Sequence, residues 1–228
     1  MDEVTSLDSY NTQGIFKWDC PAAIGLYGPT QCGKTCFMLR VIKHRKDIFD
    51  KNIEKIIYCY SQNQEALQDL EKTYPNLELH KGLPTESFLE SSFDTTKYNL
   101  LILDDLMDEI ADSKDMLHLF IRGVHHMKIT VFMMFQNLFY QGRQMRTISL
   151  NLSYHVLFKT FRDRLQIANL ARQMFPDNWK RMTEAYEDAI SHNPRGYLVV
   201  ANLPSTKEDE RLLTDIFPGE NLIMYTPK

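Results

Sequence analysis

Apolar residues run along this chain in short blocks separated by amphipathic stretches. Ala22 to Tyr27 (AAIGLY), Ile53 to Tyr60 (IEKIIYCY), Asn99 to Leu103 (NLLIL), Lys128 to Phe135 (KITVFMMF), Tyr154 to Lys159 (YHVLFK) and Tyr197 to Asn202 (YLVVAN) are short, largely apolar runs that predict buried strands. Leu77 to His80 predicts a minor strand. Between these blocks the apolar positions recur at helical spacing. Lys34 to Lys46 puts Phe37, Met38, Val41 and Ile42 on one side of a helix. Further helices are predicted over Asn63 to Thr73, Ser113 to Met127, Arg162 to Phe175 and Trp179 to Ser191, the last two parted by Pro176. A short helix over Pro84 to Glu90 would carry its proline in the first turn. Strands alternating with helices imply an α/β domain with a mostly parallel sheet covered on both faces. The pattern fills residues 19 to 203 and fades over 1 to 18 and 204 to 228, which are expected as N- and C-terminal arms.

The first strand runs into GPTQCGKT, residues Gly28, Pro29, Thr30, Gln31, Cys32, Gly33, Lys34 and Thr35. This is the Gly-x-x-x-x-Gly-Lys-Thr phosphate loop, in its proper place between an apolar strand and an amphipathic helix. The glycines let backbone amides face the β-phosphate, and the helix N-terminus adds partial positive charge. Lys34 would reach the β- and γ-phosphates of ATP, and the Thr35 hydroxyl would ligate Mg²⁺. A metal–phosphate site also needs a carboxylate at the end of a neighbouring strand. NLLILDD places Asp104 there as a metal ligand and Asp105 next to it as a general base. Glu109 is a weaker candidate for the base, since Asp108 and Glu109 read better as a solvated helix start. Gln136 directly follows KITVFMMF. Spacing alone leaves it equally a γ-phosphate sensor and a cap on the strand–helix turn.

Composition narrows the partners. The 228 residues carry 43% apolar side chains, enough to bury a core, and a formal net charge of −4. A protein that coats nucleic acid with its whole surface would be basic, so any such contact here is confined to a groove or pore. No apolar run reaches ~18 residues, so no membrane span is expected. The polar, acidic start MDEVTSLDSYNTQG does not read as a secretory leader. Cys20, Cys32, Cys36 and Cys59 have neither zinc-site nor disulfide-framework spacing, which points to reduced thiols and an intracellular setting.

Taken with FQNLFYQGRQMRTISLNLSYHVLFKTFRDRLQIANLARQMFP, the phosphate loop and NLLILDD resemble the genome-packaging ATPases of the FtsK–HerA superfamily. The likeness is to the branch of large eukaryotic DNA viruses, virophages and Polinton (Maverick) virus-like elements, and it spans roughly Gly25 to Pro176. It implies a RecA-like (ASCE) P-loop fold and ATP hydrolysis with Mg²⁺. It assigns Lys34 and Thr35 to phosphate and metal, Asp104 and Asp105 to metal and water, and Gln136 to sensing. It also implies a homo-oligomeric ring of five or six subunits that threads double-stranded DNA through a pore into a capsid or portal-like viral protein. The setting would be the host nucleus or cytoplasm, or the virion. Two positions depart from the family's usual pattern: Cys32 precedes Gly33, and Asp105 stands where many relatives carry Glu.

A ring of this kind needs an arginine donated to the neighbour's γ-phosphate. Arg143 and Arg146 in QGRQMRT are the candidates, with Arg162 third; the alternative for each is a solvated surface arginine. Lys81, Lys97, Arg122 and Lys128 are possible pore residues on the same terms. His125 and His126 read as helix-end residues rather than metal ligands. Two rival readings stay open: a P-loop kinase, and a nucleotide switch or replication-loader ATPase.

Overall fold

The computed structural model describes residues 7–12, 16–62, 65–139, 142, 144–191 and 193–227. In chain order the elements are β1 (Leu7–Thr12), β2 (Ala23–Tyr27), α1 (Lys34–Lys43), α2 (Arg45–Ile48), β3 (Ile53–Tyr60), α3 (Glu65–Thr73) and β4 (Leu77–Lys81). Next come α4 (Glu86–Ser92), β5 (Tyr98–Asp104), α5 (Met107–Asp112), α6 (Lys114–His118), α7 (Val124–His126), β6 (Ile129–Phe135) and α8 (Met145–Leu150). The chain ends with β7 (Tyr154–Phe158), α9 (Arg164–Met174), α10 (Trp179–Ser191), β8 (Tyr197–Ala201), β9 (Leu212–Thr214) and β10 (Leu222–Pro227).

All these strands join one sheet in the order β1-β10-β9-β8-β7-β2-β6-β5-β3-β4. From β7 to β4 every neighbouring pair is parallel. From β7 outward to β1 every pair is antiparallel. β2, β5, β6 and β7 are apolar at nearly every position because both faces are covered. Along β5, Leu101 and Leu103 enter one core while Leu100 and Ile102 enter the other. Phe37, Met38, Val41 and Ile42 of α1 pack into the second core with Ile24 and Leu26 of β2, as their spacing predicts. This packing fixes the helix behind the phosphate loop.

Three expectations are revised. The stretch 204 to 228, expected as an arm, supplies β9 and β10, and β1 from the N-terminal stretch pairs with β10 in register Leu7 to Pro227. Isolated from long-range pairing, these strands have a weak local pattern; their hydrogen bonds come from the sheet edge. The helix expected over Ser113 to Met127 is interrupted by a π-helical turn at Leu119–Gly123. Leu119 and Val124, five positions apart, are both buried, and a π turn brings that spacing to one face. Pro84 precedes α4 rather than entering it. Thr85 caps the helix, its Oγ1 accepting from Phe88 N at 3.2 Å.

His155 sits inside this sheet on β7, 5% exposed and stacked on Tyr27 with ring centroids 5.7 Å apart. Its Nδ1 finds no hydrogen-bond partner among the described residues. Burial pushes its pKa down to about 4. The unfolded chain therefore binds the His155 proton more tightly than the folded one. The stability tied to the neutral ring is complete above the ordinary value near 6.5 and is lost as pH falls towards about 4. We expect urea melts to lose on the order of 3 kcal/mol across that window through His155. His155→Phe should flatten this part of the pH profile, and an unchanged slope would mean that other groups carry it.

Candidate functional site: a phosphate loop facing two carboxylates

β2 lies between β6 and β7, and the loop Gly28 to Gly33 leaves its C-terminal end. Gly28 N donates to Phe135 O at 3.2 Å, which ties the loop to β6. A Cβ on Gly28 would lie 2.6 Å from Cys32 Sγ and 2.9 Å from Phe158 Cβ, so no other residue fits. The thiol of Cys32 fills the space beneath Gly28, which accounts for a small side chain at this position. Burial raises its pKa, against the pull of the nearby Lys34 ammonium. Gln31 and Gly33 have positive φ, 67° and 116°. Gly33 is the residue before the first turn of α1, and Lys34 and Thr35 open the helix.

Lys34 Nζ donates to Gly28 O at 2.5 Å and to Pro29 O at 3.0 Å, and lies 3.9 Å from Cys32 Sγ. Burial lowers its pKa, while Cys32, Asp104 and Asp105 pull the other way. Asp104 ends β5, is 7% exposed, and accepts a hydrogen bond on Oδ2 from Tyr58 Oη at 2.8 Å. Burial raises its carboxyl pKa; the Tyr58 hydrogen bond and Lys34 oppose this. Asp105 is turned the other way by a left-handed backbone, φ 56°, which lifts its carboxylate into the exposed cleft. There Gln136 Nε2 donates to Asp105 Oδ1 at 2.9 Å, and Ser61 Oγ donates to Oδ2 at 3.4 Å.

These residues line one cleft of about 330 Å³, formed by Thr30, Gln31, Gly33, Lys34, Thr35, Cys36, Asp104, Asp105, Met134, Gln136 and Arg195. Thr30, Gln31, Gly33, Lys34 and Thr35 of the loop, both carboxylates and Gln136 are thus gathered in one place. Glu109 lies on α5 and does not line the cleft. Tyr58, Ser61 and Arg195 were not singled out from the sequence. Tyr58 and Ser61 sit on and just beyond β3, one strand over from β5, a relation that only the strand order gives.

The remaining candidates are dispersed. Arg146 is exposed on α8, and Arg162 is exposed in the turn between β7 and α9; Arg143 lies outside the described residues. Lys97 and Lys128 lie at the opposite end of the sheet from the cleft, where Lys128 Nζ donates to Thr96 O at 3.1 Å. Lys81 ends the edge strand β4, and Arg122 sits in the π-helical turn. His125 and His126 are exposed at the end of α7, and no cluster of metal-ligating side chains occurs among the described residues. No helix among them is long and apolar enough to cross a membrane.

The fold is α/β, with a largely parallel central sheet, helices on both faces, and a phosphate loop at the C-terminal end of a central strand, as in RecA-like P-loop proteins. No protein-family model matches the chain. No curated protein matches it either. Among solved structures it is similar to the genome packaging NTPase B204 from Sulfolobus turreted icosahedral virus 2 in complex with ATP-gammaS. That match has 12% identity over 91% of this chain and 98% of that one, with a TM-score of 0.50. The same NTPase with AMPPCP gives 13% identity over the same shares and a TM-score of 0.50. A KaiC-like protein from Pyrococcus horikoshii OT3 is 8% identical over 90% of this chain and 89% of that one, with a TM-score of 0.46. At 12–13% identity the likeness to the packaging NTPase is one of fold.

Proposed function

We propose that this chain is a Mg²⁺-dependent ATPase that works as a ring of five or six copies and drives double-stranded DNA into a capsid. The observation that carries the hydrolytic part is the Gln136–Asp105 hydrogen bond, set in one cleft with Lys34. A base held by a polar side chain beside a phosphate loop suits activation of water. The fold shared with the viral packaging NTPase B204 supports the packaging part.

The loop amides from Thr30 to Thr35 cradle the phosphates, and Lys34 exchanges its loop carbonyl contacts for β- and γ-phosphate oxygens. The donor set fits Mg²⁺: a threonine hydroxyl and one carboxylate, Asp104, both oxygen ligands beside phosphate. The raised pKa of Asp104 is in keeping with a buried carboxylate that lacks a full counter-charge. When bound, the ion would neutralise charge on the β- and γ-phosphates. Asp105 takes a proton from the attacking water as the oxygen bonds to the γ-phosphorus. The bond to the β-bridging oxygen breaks, and Lys34 offsets the charge left on ADP. Gln136 holds Asp105 in line and reports whether the γ-phosphate is present. Arg143 or Arg146, with Arg162 next, reaches the adjacent subunit's site.

DNA contact is through backbone phosphates inside the ring, since the net charge of −4 does not favour binding over the whole surface. The test is the ATPase rate with and without linear duplex DNA. We expect stimulation of several-fold, independent of sequence and falling steeply with salt. A duplex-insensitive rate, or phosphate transfer to a small acceptor, would favour a switch or a kinase instead.

A further inference from the structure

Arg195 is the charged cleft residue that the hydrolytic mechanism above does not use. It precedes β8, which is antiparallel to β7 and begins opposite Phe158 at the C-terminal end of that strand. The sheet order β8-β7-β2-β6-β5 therefore puts Arg195 on one side of the phosphate loop, with Asp104, Asp105 and Gln136 on the other. The aliphatic part of its side chain lies over Gly33: a Cβ there would meet Arg195 Cβ at 3.5 Å and Cγ and Cδ at 3.6 Å. Its Nη1 reaches Cys36 Sγ at 3.5 Å, a weak acceptor. No carboxylate among the described residues pairs with it, although the molecule is net acidic.

The backbone that carries this arginine is held firmly. Arg195 N donates to Asn193 Oδ1 at 2.9 Å, and Gly196 N donates to Asn193 O at 2.9 Å. A Cβ on Gly196 would fall 2.4 Å from Ala189 O and 2.8 Å from Ile190 Cα, so the turn is packed flat against the backbone of α10. A fixed turn, an arginine stem lying on the phosphate loop and a guanidinium left with a thiol for company together describe a cation placed for an anion.

We propose that Arg195 binds the α- and β-phosphates of the nucleotide in its own subunit, from the side opposite the two carboxylates. The loop amides around Gly33 to Cys36 serve these phosphates, whereas the γ-phosphate belongs to the side of Asp105 and Gln136. Arg195 thus grips ADP as well as ATP. It holds product and substrate alike and acts on affinity rather than on the chemical step.

The proposal rests on the nucleotide reading given above, and the test separates the two. Fluorescent mant-ADP and mant-ATP are titrated into the wild type, Arg195→Ala and Arg195→Lys at concentrations where the chain is monomeric. Arg195→Ala should weaken both nucleotides by a similar factor, about 10-fold or more, the loss of one charge-assisted hydrogen bond. Arg195→Lys should recover part of the loss, since it keeps the charge without the fork. Thermal melts check that the variants fold, as exposure of Arg195 leads us to expect. Wild-type protein that binds neither nucleotide would overturn the nucleotide reading and this proposal with it. Binding by wild type that is unchanged in Arg195→Ala, or lost for ATP alone, would overturn only the role of Arg195.

Discussion

Asp105→Asn should bind Mg²⁺-ATP close to normally and hydrolyse it about 10²- to 10⁴-fold more slowly, the range attributed to a general base. The two adjacent carboxylates differ in setting. Asp104 is buried and anchored by Tyr58, whereas Asp105 stands in the cleft on a left-handed backbone and is held by Gln136 and Ser61. Asparagine at 105 keeps the size and an oxygen that can accept from Gln136, but it cannot take a proton from water. Asp104→Asn should behave differently, with loss of the Mg²⁺-dependent part of ATP affinity. That variant should fold at least as well as the wild type without metal, because burial already disfavours the charged carboxylate. The checks are single-turnover hydrolysis and nucleotide titrations with and without Mg²⁺. Equal loss of affinity in both variants would end the division of roles. Glu109 would not inherit the role of base on geometry, since it does not line the cleft.

An arginine substitution should leave ATP bound and remove hydrolysis by on the order of 10³-fold or more, if that arginine completes the neighbour's site. Arg146 is the first to test among the described residues, being exposed on α8 beyond strand β6; Arg162 is the second. Arg143→Ala belongs in the same series. Mixing the right variant with Lys34→Ala should restore part of the activity. In a mixed ring an intact Lys34 site can face an intact arginine from its neighbour. Rescue should appear only at concentrations where rings form. Should no arginine variant be rescued with assembly verified by sedimentation, the ring mechanism would lose its support.

The central strands were legible because a strand buried on both faces must be apolar at nearly every position. Such runs as Ile129–Phe135 have no other reading beside a phosphate loop. The loop was legible because its pattern is local, written in eight consecutive residues between a strand and a helix. The two ends of the chain carry little local pattern because strands such as β9 and β10 draw their order from partners far away in sequence. Trp18 is a further case, since it is fully buried by edge-to-face packing on Phe132 and Tyr154, more than a hundred positions on.

The sequence by itself determined the α/β alternation, the phosphate loop and the strand-end carboxylates, because each is written in contiguous residues with one backbone period. Tertiary structure decided what those residues face. Strand order brought Tyr58 to Asp104 and Ser61 to Asp105, and the left-handed turn at Asp105 sent two adjacent acids into different surroundings. It also carried Arg195 across 162 positions to lie over Gly33, because β8 folds back beside β7 at the mouth of the cleft. Contacts of that range depend on loop closure and on the packing of α10 under the turn, and neither leaves a periodic trace in the chain.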